Sequence, residues 1–509
     1  MKITITPAEM KALETRFIQE HAVPGALLME HAAQGVVDAI ARYTQKGPVV
    51  FLCGPGNNGG DGYAAARLWS ARGGKSHIVE MTENMHGDAL LNRNLALMNP
   101  DIEFHDPDYY RLPPCEVIVD ALFGTGLSHG LTGDAASMVH AALDANLCGT
   151  PIIAVDIPSG LDGTTGRALG SMVIRATETV TFHQIKQGLL LGDGPDYTGR
   201  ITVQPILIPH PDGNDPLHVL EPADLDSFYT ERRPTCHKGD FGRVVLFCGS
   251  RGMAGAAALC ANAAMRAGAG LTTILCRESL LPILQTLAPG AMCTVLPEKD
   301  GTLAPEAADI AREALARADA ACVGCGLSRS ADNLPLLRVF REAACPVVWD
   351  ADALNLIAQT PDMVPLKPAD VVTPHPGEAA RLLGCTVDGI TADTLSALRR
   401  LHGKCGCTVL LKGARSLITD GSEIWCNMHT SPALAKGGSG DALTGIITAL
   451  LARRLPQCTE GRMLSVQAAA YGALIHGLAG VRAAKKHGVN CTLPTDVVDC
   501  IRLDANGLA

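Results

Sequence analysis

The sequence predicts an α/β protein with two successive α/β units, and three observations carry that expectation. The 509-residue chain is too long for a single hydrophobic core, and its length fits two or three domains. Apolar runs of strand length recur between helix-like stretches, as in a parallel sheet buried on both faces. Most of these runs end in polar, glycine-containing turns, where ligands collect in such sheets.

Taken in order, Thr6-Pro7-Ala8-Glu9 reads as a helix start, with Thr6 as N-cap, a proline in the first turn and Glu9 three residues on. VVFLCG (49–54) reads as a strand that enters GPGNNGGDGY and then a helix, AAARLWSA. VIVDALFG (117–124) and PIIAVDIPSG (151–160) are further strands ending in glycine turns. Residues 205–222, rich in Pro, Asp, Gly and His, mark a boundary. The second unit opens on RVVLFCGS (243–250) and an Ala-rich helix. Strand-then-turn segments follow at 318–328, 344–354, 369–378 and 407–416, and LAKGGSGDALTGIITALLARR opens a long helix.

Composition narrows the function classes. Aromatics make up 4% of the chain, too few for a surface that stacks single-stranded nucleic acid. A net charge of -10 without a dense Lys/Arg run argues against nucleic acid as a partner. No signal-type segment opens the chain, and no stretch reaches 18 uncharged apolar residues, so the expectation is a cytoplasmic protein with no membrane partner. The 18 cysteines are then reduced thiols. Cys322/Cys325 and Cys405/Cys407 lack a matching His cluster and read as small buried hydrophobes rather than zinc ligands.

Two stretches carry candidate chemistry. Gly54-x-Gly56-x-x-Gly59 has dinucleotide-binding spacing after a strand, a weak signal alone, with Glu80 at the distance of a ribose-binding acid. Asn57-Asn58 followed by Gly59-Gly60-Asp61 fits a site that grips a polar ligand or a cation through oxygens; the plain alternative is a turn capped by Asp61 at a helix start. Asp120 and Asp156 stand at two other strand ends. With Asn58 and Ser159 they form a hard, all-oxygen set suited to an alkali or alkaline-earth cation. In the second half, KGGSGD (436–441) precedes an apolar helix but lacks the Gly-Lys-Ser/Thr of a nucleotide-binding P-loop. His375, between two prolines, could simply hold a rigid loop, and Lys412 could be a solvated strand end.

GPGNNGGDGYAAARL, VDALFGTGL and VDIPSGLDG, with ALLMEHAA and TFHQIKQGL, resemble the N-terminal domain of the bifunctional NAD(P)H-hydrate repair enzymes. HKGDFGRVVLFCGS, TPHPGE, LLKGARS and KGGSGD resemble the dehydratase half of the same family, which has the ribokinase-like fold. The resemblance implies a Rossmann-like three-layer epimerase domain at 1–212 and a ribokinase-like dehydratase domain at 218–509. The first would interconvert the R and S forms of NADHX and NADPHX beside a potassium ion held by Asn58, Asp120 and Ser159. Its substrate would be lined by Asn57, Asn58, Gly59, Gly60 and Asp61, by Gly124, Thr125, Gly126, Leu127, Ser128, His129 and Gly130, and by Asp156, which would be the acid/base. The second would use ADP, with Mg²⁺, and return NAD(P)H, AMP and phosphate. Lys412, Gly413, Ala414, Arg415, Ser416 and Gly440 would bind the nucleotide. Gly255, Ala256, Gly326, His375 and the catalytic Asp441 would face the hydrate. The family often shows Gly-Pro-Gly where this chain has Gly324-Cys325-Gly326. A homo-oligomer is expected. The rival readings are a small-molecule kinase of vitamins or sugar alcohols, and a first domain that binds without catalysing.

Overall fold

The apolar runs of the first half form a 7-stranded sheet. In spatial order its strands are Ile102–His105, Lys75–Glu80, Pro48–Cys53, Val117–Ala121, Ile152–Val155, Glu178–Phe182 and Arg200–Gln204, every neighbouring pair parallel. Both faces are covered, which is why the strands are apolar throughout rather than alternating. Helices Gly25–Ile40 and Asn57–Ala71 share one core with one face of the sheet, while Met138, Val139 and Ala142 of helix Gly133–Leu147 pack on the other. The strand order reverses direction between Pro48–Cys53 and Val117–Ala121, so the crevice beyond their carboxyl ends is the ligand position of an open α/β sheet. A short strand, Lys2–Ile5, pairs in parallel with Ile185–Lys186, setting Ile5 opposite Lys186.

In the second half the order is Met292–Leu296, Leu271–Arg277, Arg243–Phe247, Ala320–Val323, Val347–Trp349, Val371–Val372 and Thr408–Leu411, all parallel, continued by antiparallel Ser416–Thr419 and Ile424–Asn427. Its reversal lies between Arg243–Phe247 and Ala320–Val323. Helices Ala254–Arg266 and Ser439–Ala452 are in close contact: a Cβ on Gly445 would come within 2.1 Å of the Cys260 carbonyl oxygen. Glycine there lets the two backbones touch.

The computed structural model describes residues 2–107, 111–209, 217–225, 233–453 and 464–503, so the expected boundary at 205–222 lies partly outside the described residues. The chain divides into two compact units, one of Ile3–Leu217 and one of His218–Ala509 with the first two residues. Thr6 does cap helix Pro7–His21 in a complete capping box with Glu9. Among the described residues no helix is long and apolar enough to cross a membrane.

Candidate active sites

The first site is built where three backbones meet. Helix Asn57–Ala71 begins at Asn57, with Gly56 as N-cap. The Asn-Asn-Gly-Gly-Asp stretch is therefore the helix's own opening turns, not a turn capped by Asp61. A Cβ on Gly59 would lie 1.9 Å from the Gly54 carbonyl oxygen, and one on Gly54 would lie 1.8 Å from that of Leu122. These glycines are required by backbone contact with each other and with the strand-end segment at Leu122. Glu80, at the expected ribose distance, accepts a bidentate pair from Arg93 (2.7 and 2.8 Å) and a hydrogen bond from Tyr63 (3.1 Å), so its oxygens already have partners.

Asp120 is fully buried, and Ser159 donates to it twice: Oγ to Oδ1 at 2.6 Å and the backbone N–H to Oδ2 at 2.8 Å. Burial pushes the Asp120 carboxyl up to about 6, and the Ser159 hydrogen bonds pull in the opposite direction. The Ser159 hydroxyl also lies 3.2 Å from the Phe123 carbonyl oxygen and accepts from the Phe123 N–H at 3.0 Å. The next residue, Gly124, packs on Asn58: its Cβ would be 3.0 Å from Asn58 Oδ1. Phe123-Gly124 thus joins the Asp120–Ser159 pair to Asn58, whose buried Nδ2 has no partner. Along the rest of the loop, Gly126, Ser128 and His129 are exposed, Thr125 and Leu127 are half-buried, and Gly130 approaches the Leu169 carbonyl.

Asp156 has φ 64°, in the left-handed region where Asp is better tolerated than most residues. Three donors converge on its Oδ1: Lys186 Nζ at 2.6 Å, Thr181 Oγ1 at 3.0 Å and the Phe182 N–H at 3.2 Å. Lys186, with its side chain 1% exposed, also donates to the Phe182 carbonyl at 2.7 Å. Nearby, burial raises the Asp61 carboxyl well above its usual range, and the charges of Asp156 and Glu14 raise it further. Asn57, Asp61, Glu14 and Phe182 line a cavity of about 220 Å³.

The second site gathers at the start of helix Ser439–Ala452. Gly438 caps it at φ 99°, a left-handed position suited to glycine. Asp441 sits in the first turn, beside Cys325 and Asp350; one ligand atom from each of the three lies within 4.8 Å of the others. Burial first, and then the Asp350 charge, push the Asp441 carboxyl up to about 6. Lys412 Nζ donates to Asp350 Oδ1 at 2.8 Å and lies 4.0 Å from Glu378, while Thr444 donates to Asp350 Oδ2 at 2.8 Å. Burial alone would lower the Lys412 ammonium, but Asp350 and Glu378 outweigh it and raise it. Gly440 is next to this ammonium, since its Cβ would be 3.4 Å from Nζ. Ser439 Oγ is 3.2 Å from His476 Nε2, and burial with the Lys412 charge lowers that imidazole to about 4, so it is neutral at pH 7.

Gly326 and Ala256 meet, a Cβ on Gly326 falling 2.7 Å from that of Ala256, and Gly255 is exposed beside them. His375 caps helix Pro376–Leu383 by accepting from the Gly377 N–H at 3.0 Å, with half of its side chain exposed. Gly413 and Ala414 are exposed, the Ala414 carbonyl accepting from Thr430 at 2.9 Å, and Ser416 begins the next strand. The half-buried Arg415 donates to the Met428 carbonyl, and its Nε is unpartnered.

The spacing did not single out Lys186, Glu14, the Phe123 carbonyl, Asp350, Thr444 or His476. Asp350 carries a visible signal, because it ends the run PVVWD as Asp120 and Asp156 end theirs. Cys322 and Cys325 are buried with Cys248 and Cys260; the Cys322 sulfur lies 3.5 Å from that of Cys260 and 3.9 Å from that of Cys248.

Residues 244–503 match the family model described as NAD(P)H-hydrate dehydratase, and residues 25–188 match the YjeF-related protein N-terminus. The bifunctional NAD(P)H-hydrate repair enzyme of Moorella thermoacetica is 36% identical, over 97% of this chain and 95% of its own length. That of Escherichia coli is also 36% identical, over 90% and 85%. That of Coxiella burnetii is 32% identical over 99% of this chain and all (100%) of its own. With both domain models matched in order and relatives aligned from end to end, the chain belongs to the family of bifunctional NAD(P)H-hydrate repair enzymes.

Proposed function

We propose that residues 1–212 epimerise the R and S forms of hydrated NADH and NADPH, and that residues 218–509 dehydrate the S form with ADP. The observation that carries the second step is Asp441, a carboxyl raised to about 6 at the amino end of helix Ser439–Ala452. A hydroxide leaves a hydrated dihydropyridine ring poorly. Transfer of the β-phosphoryl group of ADP to that hydroxyl, with Asp441 accepting its proton, leaves AMP and a phosphate ester. The ring nitrogen's lone pair then expels phosphate, a proton leaves the neighbouring carbon, and NAD(P)H is restored. The N–H groups at Gly438, Ser439 and Gly440, with the helix dipole, stabilise charge on the moving phosphoryl group.

Lys412 through Ser416, with Gly440, bind the nucleotide in this reading. Arg415 supports it, because a phosphate oxygen would satisfy its unpartnered Nε. Mg²⁺ would enter with the nucleotide, and Asp350, whose oxygens accept from Lys412 and Thr444, is the carboxylate that would hold it in this reading. Gly255, Ala256, Gly326 and His375 face the hydrate.

In the first domain Asp156 is the acid/base. Its Oδ1 is held by three donors, so Oδ2 is the oxygen left for substrate, and Lys186 fixes the carboxylate in place. Epimerisation requires only that the hydroxyl leave with a proton and return to the other face of the ring. A potassium ion fits the Asp120, Ser159 and Asn58 set, joined by the Phe123 carbonyl: one carboxylate and several neutral oxygens suit a hard monovalent cation. Bound there, it supplies a fixed positive charge beside the substrate. Asn57 to Asp61 and Gly124 to Gly130 line that substrate.

Incubation of the full chain with ADP, Mg²⁺ and hydrated NADH tests the proposal. Recovery of NADH absorbance with matching release of inorganic phosphate is expected. A stable phosphorylated product without NADH would instead identify a small-molecule kinase.

A further inference from the structure

At the outer edge of the N-terminal sheet, Lys75–Glu80 and Ile102–His105 run parallel, with His77 opposite Glu103 and Val79 opposite His105. Strand alternation places His77, Glu103 and His105 on one face. His77 Nδ1 lies 3.1 Å from His105 Nε2 and 3.3 Å from Glu103 Oε2, and the remaining side of this triangle is 3.9 Å. Ligands about 2.0–2.2 Å from a tetrahedral zinc ion stand roughly 3.3–3.5 Å from one another, close to this spacing. The rings are tilted by 43° with centroids 5.3 Å apart, so nitrogens meet rather than faces. The cluster is open on one side: His77 is 13% exposed, His105 34% and Glu103 68%.

We propose that His77, Glu103 and His105 bind one divalent transition-metal ion of the zinc type, leaving a coordination position to water. Two imidazoles and one carboxylate form a borderline donor set that favours zinc over magnesium or calcium. The ion ties the sheet's edge strand to its neighbour through side chains, in addition to the ladder hydrogen bonds, at the place where sheets are most prone to opening or to pairing with another chain.

The test uses the full chain freed of metal by a chelator, titrated with Co²⁺ and with Zn²⁺. One equivalent of Co²⁺ giving a visible ligand-field band, without a sulfur-to-cobalt charge-transfer band, is expected, and Zn²⁺ should raise the melting temperature. His77→Ala and His105→Ala should each lose that equivalent and the thermal shift. Glu103→Gln should weaken binding at least tenfold. Should His77→Ala fail to fold, His105→Ala and Glu103→Gln, at more exposed positions, decide the matter. Absence of binding, binding that persists in these variants, a charge-transfer band assigning the ion to buried thiols, or binding without stabilisation would each overturn the proposal. Phosphate release from hydrated NADH should be unchanged in all three variants, which separates this outcome from the repair activity.

Discussion

Single side chains decide whether either site can work. Asp441→Asn keeps the shape but cannot accept a proton, so dehydration should fall by about 10²–10⁴-fold, while ADP binding measured by calorimetry persists. In the unaltered protein, kcat/KM for dehydration should rise with pH through a single ionisation near 6 and then level off, because only the deprotonated Asp441 is a base. The sign for stability is the reverse. A carboxyl raised from 3.8 to about 6 favours the fold in its protonated form, and that contribution is lost as pH climbs through this window. Asp441→Asn should therefore be more stable than the parent above pH ~6 by on the order of 2 kcal/mol, and no more stable at pH ~3. Lys186→Met has the opposite effect. It strands the Asp156 charge in a buried place, so a loss of about 3–5 kcal/mol in denaturant unfolding and of most epimerase activity is expected. Asp120 and Asp156 were legible because they follow apolar strand runs, and Asp441 because it closes the KGGSGD turn. Lys186 was not, because nothing in QIKQGL marks its lysine as buried, and only the fold shows it 1% exposed.

At the scale of elements, glycines bring the pieces together. Gly59→Ala would drive a methyl group to 1.9 Å from the Gly54 carbonyl, so helix Asn57–Ala71 must shift away from its strand. Weaker binding of NADHX in the epimerase assay and a lowered melting temperature should follow together. Undiminished binding would show that this helix start does not position substrate. The alternation of strand, turn and helix was readable from apolar runs, and helix Ser439–Ala452, after the KGGSGD turn, was readable from its apolar stretch. Helix starts were harder. Asn57-Asn58 looked like a turn because Asn and Gly favour turns, yet tertiary contact with Gly54 and Leu122 carries the helix through them. His375 shows the same difficulty: a helix cap is visible only once Gly377 and Glu378 are seen to donate to its ring.

For the whole molecule, two activities in one chain have a kinetic signature. Given a mixture of R and S hydrates, the parent should restore NADH to completion, whereas Asp156→Ala should stop once the S form initially present is consumed. Completion by that variant at the parent's rate would remove Asp156 from the catalytic role. The sequence could order the two α/β units, since each has its own series of strand-end turns, but it could not supply the strand order. That depends on which apolar runs become neighbours, a matter of long-range packing. The contact between Gly54, Gly59 and Leu122 also marks how far this scaffold can be altered. A Cβ at either glycine collides with main chain, while at Gly56 nothing lies within 4 Å. Libraries that aim to redirect the pocket toward other damaged nucleotides can randomise position 56 freely, but must leave its two glycine neighbours untouched.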